Sequence, residues 1–183
     1  MSINGSFVPG KKNNAFEISS KYNYVRFETD TVRCATYLDL CIDGLTITFW
    51  FQMSMLPDKN ASDINFNSTE PIVSLPGLIE IMRMGNEMVF FRNPYTTNQF
   101  TVIYPIQWDQ WVHYAITWDN PTNKMSLYVD GQLYATPAET PWPIPAFGDY
   151  YMMGNTITIV VFDEFYIFEK FKDAKTVALL ASQ

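Results

Sequence analysis

A chain of 183 residues holds one domain with a real core and is too short for two. Its 48% hydrophobic and 16% aromatic content excludes disorder and suits a β-rich interior. A net charge of −7 and a pI near 4.6 argue against nucleic acid, anionic membrane surfaces and heparin-like polyanions as partners.

No apolar run reaches the ~18–20 residues of a membrane helix, so no membrane insertion of this domain is expected. The opening stretch MSINGSFVPGKKNN is polar and lacks the apolar run of a signal segment. Two origins stay open on these grounds, a cytosolic protein or a domain excised from a longer secreted chain. Residues 1–13 are taken as a polar leading segment of one domain spanning 1–183.

Strand character begins at Ala15–Ile18 and Tyr22–Phe27. Glu28–Asp43 follows as a loop holding both cysteines, Cys34 and Cys41. Leu45–Met53 alternates well: Leu45, Ile47, Phe49, Phe51 and Met53 share one face, and Thr46, Thr48, Trp50 and Gln52 share the other. One dry face and one mixed face is the pattern of a sandwich strand. After the polar stretch Ser54–Glu70, four short strands are expected at Ile72–Leu75, Leu78–Met82, Met88–Arg92 and Phe100–Tyr104. Pro76-Gly77, Gly85-Asn86 and Asn93-Pro94 separate them.

Trp111–Trp118, Met125–Val129 and Leu133–Tyr134 then form a three-strand meander. Its breaks are Asp119–Asn123 and the two-residue hairpin Asp130-Gly131, where both residues accept positive φ. The stretch 136–148 holds four prolines and cannot be an inner strand, so it is a rim or binding loop. Tyr150–Gly154 and Ile157–Phe168 close the sheet, the latter apolar on both faces and therefore central. Asp173 caps a short helix, Ala174–Ala181. Eleven or more short strands and one terminal helix give an all-β, antiparallel, two-sheet jelly-roll sandwich.

Three stretches carry a family resemblance: W-x-H-x-A-x-T-W-D … L-Y-V-D-G from Trp111 to Gly131, G-L-T-I-T-F-W-F from Gly44 to Phe51, and Gly154 followed by D-E-F-Y-I-F from Asp163 to Phe168. In this order they resemble the centre, an upstream strand and the closing strand of the LamG-like, pentraxin-like jelly-roll domains of the concanavalin A-like group, found in animal extracellular and cell-surface proteins. The resemblance covers Asn14 to Ala181. It implies a structural role for His113. It also implies a disulfide between Cys34 and Cys41; the residues themselves leave two reduced thiols as the other reading. The sequons at Asn4, Asn60 and Asn67 point toward an extracellular, glycosylated protein.

Catalytic constellations are not found. Asp163 and Glu164 are adjacent and face opposite sides, and Glu169 stands too far along the strand to pair with Asp163 across a glycosidic bond. The expected function is a non-catalytic extracellular recognition or adhesion module binding a glycan or a protein partner. Aromatic residues at loop or rim positions would do the binding: Trp108, Trp142, Phe147, Tyr150 and Tyr151. A structural spacer of a cell-surface receptor and an atypical glycoside hydrolase are the alternatives. Asp163 is expected to share a face with Ile159, Val161, Phe165 and Ile167, where a carboxylate needs a partner. Either it accepts hydrogen bonds from backbone N–H groups or a hydroxyl, or, as the resemblance implies, it helps hold a structural Ca²⁺ with the region of Asn14. The local basic clusters, Lys11 and Lys12, and Lys170, Lys172 and Lys175, lie near the two chain ends.

Overall fold

The computed structural model describes residues 2–19, 24–27, 40–60, 62, 69–75, 79–91, 101–136, 150–153 and 158–183; at 2–4, 24, 26, 27, 75, 91 and 150–153 it describes the backbone alone. Among the described residues the strands run in order β1 (Ser2–Asn4), β2 (Ser6–Pro9), β3 (Asn14–Ile18), β4 (Tyr24–Phe27), β5 (Leu45–Met55), β6 (Thr69–Leu75) and β7 (Ile79–Met84). They continue as β8 (Glu87–Phe91), β9 (Thr101–Pro105), β10 (Val112–Asp119), β11 (Lys124–Val129), β12 (Gln132–Ala135), β13 (Tyr150–Met153) and β14 (Thr158–Phe168), and the helix α1 (Ala174–Ser182) closes the chain.

These strands form two seven-stranded sheets, with orders β1-β4-β13-β6-β7-β8-β9 and β12-β11-β10-β5-β14-β3-β2. The pairs between named strands are antiparallel. The facing sides of the two sheets share one hydrophobic cluster, with Ile47, Phe51 and Leu127 on one side and Ile72, Ile81 and Phe90 on the other. This is the expected two-sheet jelly roll. Phe49 is its hub: 1% exposed, its ring lies 5.4 Å from Phe165 and 5.8 Å from Tyr114 and Phe162. Truncating such a ring to alanine costs about 3–5 kcal/mol.

The meander forms as β10, β11 and β12. Asp130 and Gly131 turn it at φ 48° and 77°, and the glycine is needed twice over, since a Cβ there would meet Ala178 Cα of α1 at 2.9 Å. Asp173 caps α1 by accepting from Thr176 N at 2.8 Å. β14 is central, flanked by β5 and β3.

Three expectations need correction. The polar leading segment contains β1 and β2, each at the edge of a sheet; an edge strand is covered on few sides, and Ser6–Pro9 is largely exposed, Phe7 included. β6 starts at Thr69, inside the expected loop, and carries Pro71 at a register shift, the place in a sheet where a residue without an N–H is tolerated. Finally, Asp163 does not share a face with Phe165 and Ile167. Pairing runs from Asp163↔Trp50 to Tyr166↔Thr48 with one extra residue between, and Glu164 sits there at φ 51°. The bulge turns Phe165 and Ile167 toward the core, and it leaves Asp163, Tyr166 and Phe168 on the outer side.

Candidate functional site

The outer face of the second sheet is where the polar residues of β5 lie, yet they are not in water. Thr46, Thr48 and Trp50 are buried, at 0%, 2% and 7% exposure. Three covers explain this. Val177 of α1 packs on Ala115 and Tyr128. The segment entering α1 lies along β5, with Lys172 N donating to Thr46 Oγ1 at 2.9 Å. The β2–β3 turn closes through Gly10 N to Asn13 O at 2.7 Å and is fastened down where Lys12 N donates to Asp163 Oδ2 at 2.9 Å. Between these covers a cavity of about 230 Å³ remains.

Thr48, Trp50 and His113 form the cavity floor; Lys12, Glu164, Tyr166 and Phe168 stand around it, and Leu180 of α1 and its C-cap Gln183 close it. His113 Nε2 lies 2.6 Å from Thr48 Oγ1, and its backbone N–H donates to Asp130 Oδ1 at 2.9 Å. The His113 ring meets the Trp50 indole edge-on at 5.2 Å. Burial pushes its pKa down to about 4, with Lys12 adding to the shift and Asp130 opposing it, so the imidazole is neutral at pH 7. Two floor atoms are buried with no hydrogen-bond partner among the described residues, Trp50 Nε1 and His113 Nδ1. An unmet buried polar group costs about 1–3 kcal/mol, and Thr117 Oγ1, beside Thr46 on the same face, is a further one.

The walls are aromatic and carry one charge of each sign. Tyr166, 46% exposed, lies 5.9 Å from Phe168 with the rings tilted by 33°. Its hydroxyl donates to Glu164 Oε2, and that bond is the main reason its pKa lies above the usual phenol value. Lys11 Nζ sits 4.8 Å over the Trp50 ring and Lys172 Nζ 4.8 Å over Phe168. Lysines from both ends of the sequence are thus gathered on one face.

Of the residues singled out from sequence, Asp163 borders this face. It is 5% exposed; Oδ2 accepts from Lys12 N and Oδ1 from Glu164 N, each at 2.9 Å, and a Cβ on Gly10 would stand 2.6 Å from Oδ2. Both oxygens accept an N–H, as the hydrogen-bonded alternative expects, and each keeps a further lone pair. Asn14 is exposed at the start of β3. Trp108 is half-buried and packs against the core beside Met53. Trp142, Phe147, Asn67 and Cys34 lie outside the described residues, and Tyr150 and Tyr151 are described only as backbone of β13. Asn60 is exposed, its Oδ1 accepting from Ser62 N at 2.9 Å, and Cys41 is buried.

Sequence reasoning passed over Trp50, Lys12, Glu164 and Tyr166 as site residues. The available signal was Trp50, a large aromatic on the threonine-bearing face of β5.

No curated protein matches the chain at the sequence level. Among solved structures the fold is similar to the binding domain of botulinum neurotoxin serotype G, with a TM-score of 0.74 at 14% identity over 99% of this chain and 45% of that one. It is also similar to the binding domain of botulinum neurotoxin DC, solved with rat synaptotagmin II, with a TM-score of 0.75 at 16% identity over 99% and 46%. A botulinum neurotoxin type C structure gives 0.75 at 15% identity over 99% and 45%. The chain spans a little under half the length of these structures, and at such identities the likeness is one of fold. The sequence profile of Laminin_G_3, described as the concanavalin A-like lectin/glucanases superfamily, matches residues 19–178. That match runs through β5, the β10–β12 meander and β14, the strands that build the face described above, and the chain belongs to this family.

Proposed function

We propose that the protein is a non-catalytic recognition module of an extracellular or cell-surface protein, and that its ligand, a glycan or a partner protein's side chains, enters the outer-face cavity over β5. The observation that carries this reading is the cavity floor, where Trp50 Nε1 and His113 Nδ1 lack partners beneath an aromatic wall. Buried polar atoms are normally satisfied, and each one left unmet calls for an explanation, of which a ligand is one. A ligand oxygen that reaches them recovers what the free protein lacks.

The non-catalytic part rests on the carboxylates. The cavity is lined by one, Glu164, and the adjacent Asp163 is held by two backbone N–H groups. Hydrolysis of a glycosidic bond by the usual route needs two opposed carboxyl groups. The extracellular part includes a Cys34–Cys41 disulfide. Supporting it, Cys41 is 1% exposed and no free thiol occurs among the described residues. The neurotoxin binding domains of the same fold engage synaptotagmin in one case and depend on gangliosides in another, which makes both ligand classes reasonable for this architecture. No cation is assigned to Asp163 and Asn14.

The test is a glycan array run beside a screen of soluble receptor ectodomains, each with wild type and Tyr166→Ala. Binding in either screen that the substitution weakens supports the reading. Turnover of β-glucans in a reducing-sugar assay, or no binding in either screen, defeats it.

A further inference from the structure

A second surface lies on the other side of the sandwich from the cavity over β5. In β6–β9 the residues that alternate with the core positions Ile79, Ile81, Phe90 and Val102 point outward from the first sheet. Strand register sets four of them, Pro71, Met82, Val89 and Ile103, in one row straight across the four strands. The row is apolar from end to end and spans roughly 14 Å at the usual strand spacing. Pro71 and Ile103 are exposed, Ile103 at 44%; Met82 is half-buried, and Val89 is buried between its neighbours. Met84, 37% exposed, extends the apolar area along β7. Methionine side chains adapt their shape to what they meet.

The charges beside this row are of one sign. Glu80 on β7 and Glu87 on β8 flank it, each two residues from a member of the row, Met82 and Val89. The described ion pairs, Asp58 with Lys59 and Glu70 with Arg83, include neither of them. Among the described side chains of β6–β9 the one cation is Arg83, which is fully buried on the inner side against Glu70. Partial burial raises the pKa of Glu80, so its charge is poorly compensated in the free protein and a cation set beside it would relieve the penalty.

The spacing of the two carboxylates selects a shape for the partner. Glu80 lies level with Phe91 and Glu87 level with Met84, which puts them four residues apart along the strand direction, roughly 13 Å. Residues i and i+4 of an extended chain span the same distance and point the same way, with residue i+2 between them. Strand addition at the β9 edge is disfavoured instead. The Tyr134 hydroxyl donates to Ile103 O at 3.0 Å, and Pro105 has no N–H to offer.

We propose that the outer face of the first sheet over β6–β9 docks a partner protein through an extended basic–apolar–basic segment, its apolar side chain on the Met82–Val89–Ile103 row and a Lys or Arg beside each of Glu80 and Glu87.

The experiment is a titration of protein carrying ¹³C-methyl methionine with three short peptides. The first has Lys, Leu and Lys at alternate positions in a background of serine and glycine; the second replaces Leu by Ser, and the third replaces both lysines by Glu. Met82→Leu and Met84→Leu assign the two methyl signals. The first peptide should move both signals with a Kd of about 1 mM, as befits a small contact, and the other two should bind at least fivefold more weakly. The double variant Glu80→Gln/Glu87→Gln should weaken the first peptide at least fivefold and remove most of its salt dependence. Ile103→Lys, at an exposed position, should do the same damage by repulsion, and Tyr166→Ala should change nothing. Equal binding of the serine peptide, a preference for the glutamate peptide, or a first peptide that leaves both signals unmoved overturns the inference. So do methyl signals that shift with protein concentration alone, which would make a second copy of this chain the occupant. A response lost in Tyr166→Ala would seat the peptide in the cavity over β5; that result overturns this inference and leaves the recognition reading standing.

Discussion

Deleting Glu164 should leave this protein nearly as stable as it is, and deleting its neighbour Phe165 should not. Between Asp163↔Trp50 and Tyr166↔Thr48 the strand β14 holds two residues opposite Phe49, so removing either one restores a regular ladder. Without Glu164, Phe165 alone faces Phe49 and keeps its ring on the core. The deletion also removes a residue at φ 51°, a conformation costing about 1–2 kcal/mol, and gives up two hydrogen bonds, from Tyr166 and from its own N–H to Asp163 Oδ1, worth about 0.5–1.5 kcal/mol each. The net change should lie within about 1 kcal/mol of zero. Without Phe165, Glu164 takes the inward position. That loses about 2 kcal/mol of apolar burial and sets a carboxylate against the ring cluster, for a total of roughly 3–5 kcal/mol. At about 2–4 °C per kcal/mol for a chain of this size, the first variant should melt within about 4 °C of wild type. The second should melt at least about 6 °C lower. Calorimetry or circular dichroism melts of the two deletions, equal in length, decide the matter. Equal midpoints, or greater damage from losing Glu164, would refute the register assigned to β14 and with it the outward placement of Tyr166 and Phe168.

Arg83 is fully buried, with Nη2 2.8 Å from Glu70 Oε2 and Nη1 2.8 Å from Gly85 O, so Arg83→Met should cost about 3–5 kcal/mol by urea unfolding. The double variant Arg83→Met/Glu70→Met should cost less; an equal or larger loss would mean the arginine stem, not the ion pair, holds that end of the sandwich. His113 is held neutral by burial, with its pKa lowered from 6.5 to about 4, so the unfolded chain binds the extra proton first. Its contribution is therefore complete above pH 6.5 and lost as pH falls toward 4, on the order of 2 kcal/mol, and His113→Gln should flatten that slope in urea titrations. EDTA should leave the melting midpoint unchanged, because backbone donors already satisfy Asp163. A fall of several degrees that added Ca²⁺ reverses would restore the cation.

What could be read from the sequence was whatever local stereochemistry or alternation fixes. The Asp130-Gly131 hairpin demands positive φ at both residues, and the side-chain period of two in β5 assigns Ile47 and Phe49 inward and Thr48 and Trp50 outward before any partner is known. Three features escaped for physical reasons. The strands β1 and β2 are only three and four residues long and sit in a stretch of glycine, lysine and asparagine, so no alternation marks them. The bulge at Glu164 is a single inserted residue and leaves no mark in composition; only the partner strand reveals it. The cavity depends on contacts such as Lys12 with Asp163, which join distant parts of the chain, and no motif spans that distance. Of the rim aromatics expected from sequence, Trp142 and Phe147 lie outside the described residues, and the outer face over β5 belongs to regular strands under a partial roof.

The most direct measurement is a crystal structure of the protein with the best-bound ligand from the array or receptor screen. Density over β5, between Lys12 and Tyr166 and within hydrogen-bond distance of Trp50 Nε1, is the predicted result. A ligand seated elsewhere, with the outer-face cavity unchanged, would contradict the account.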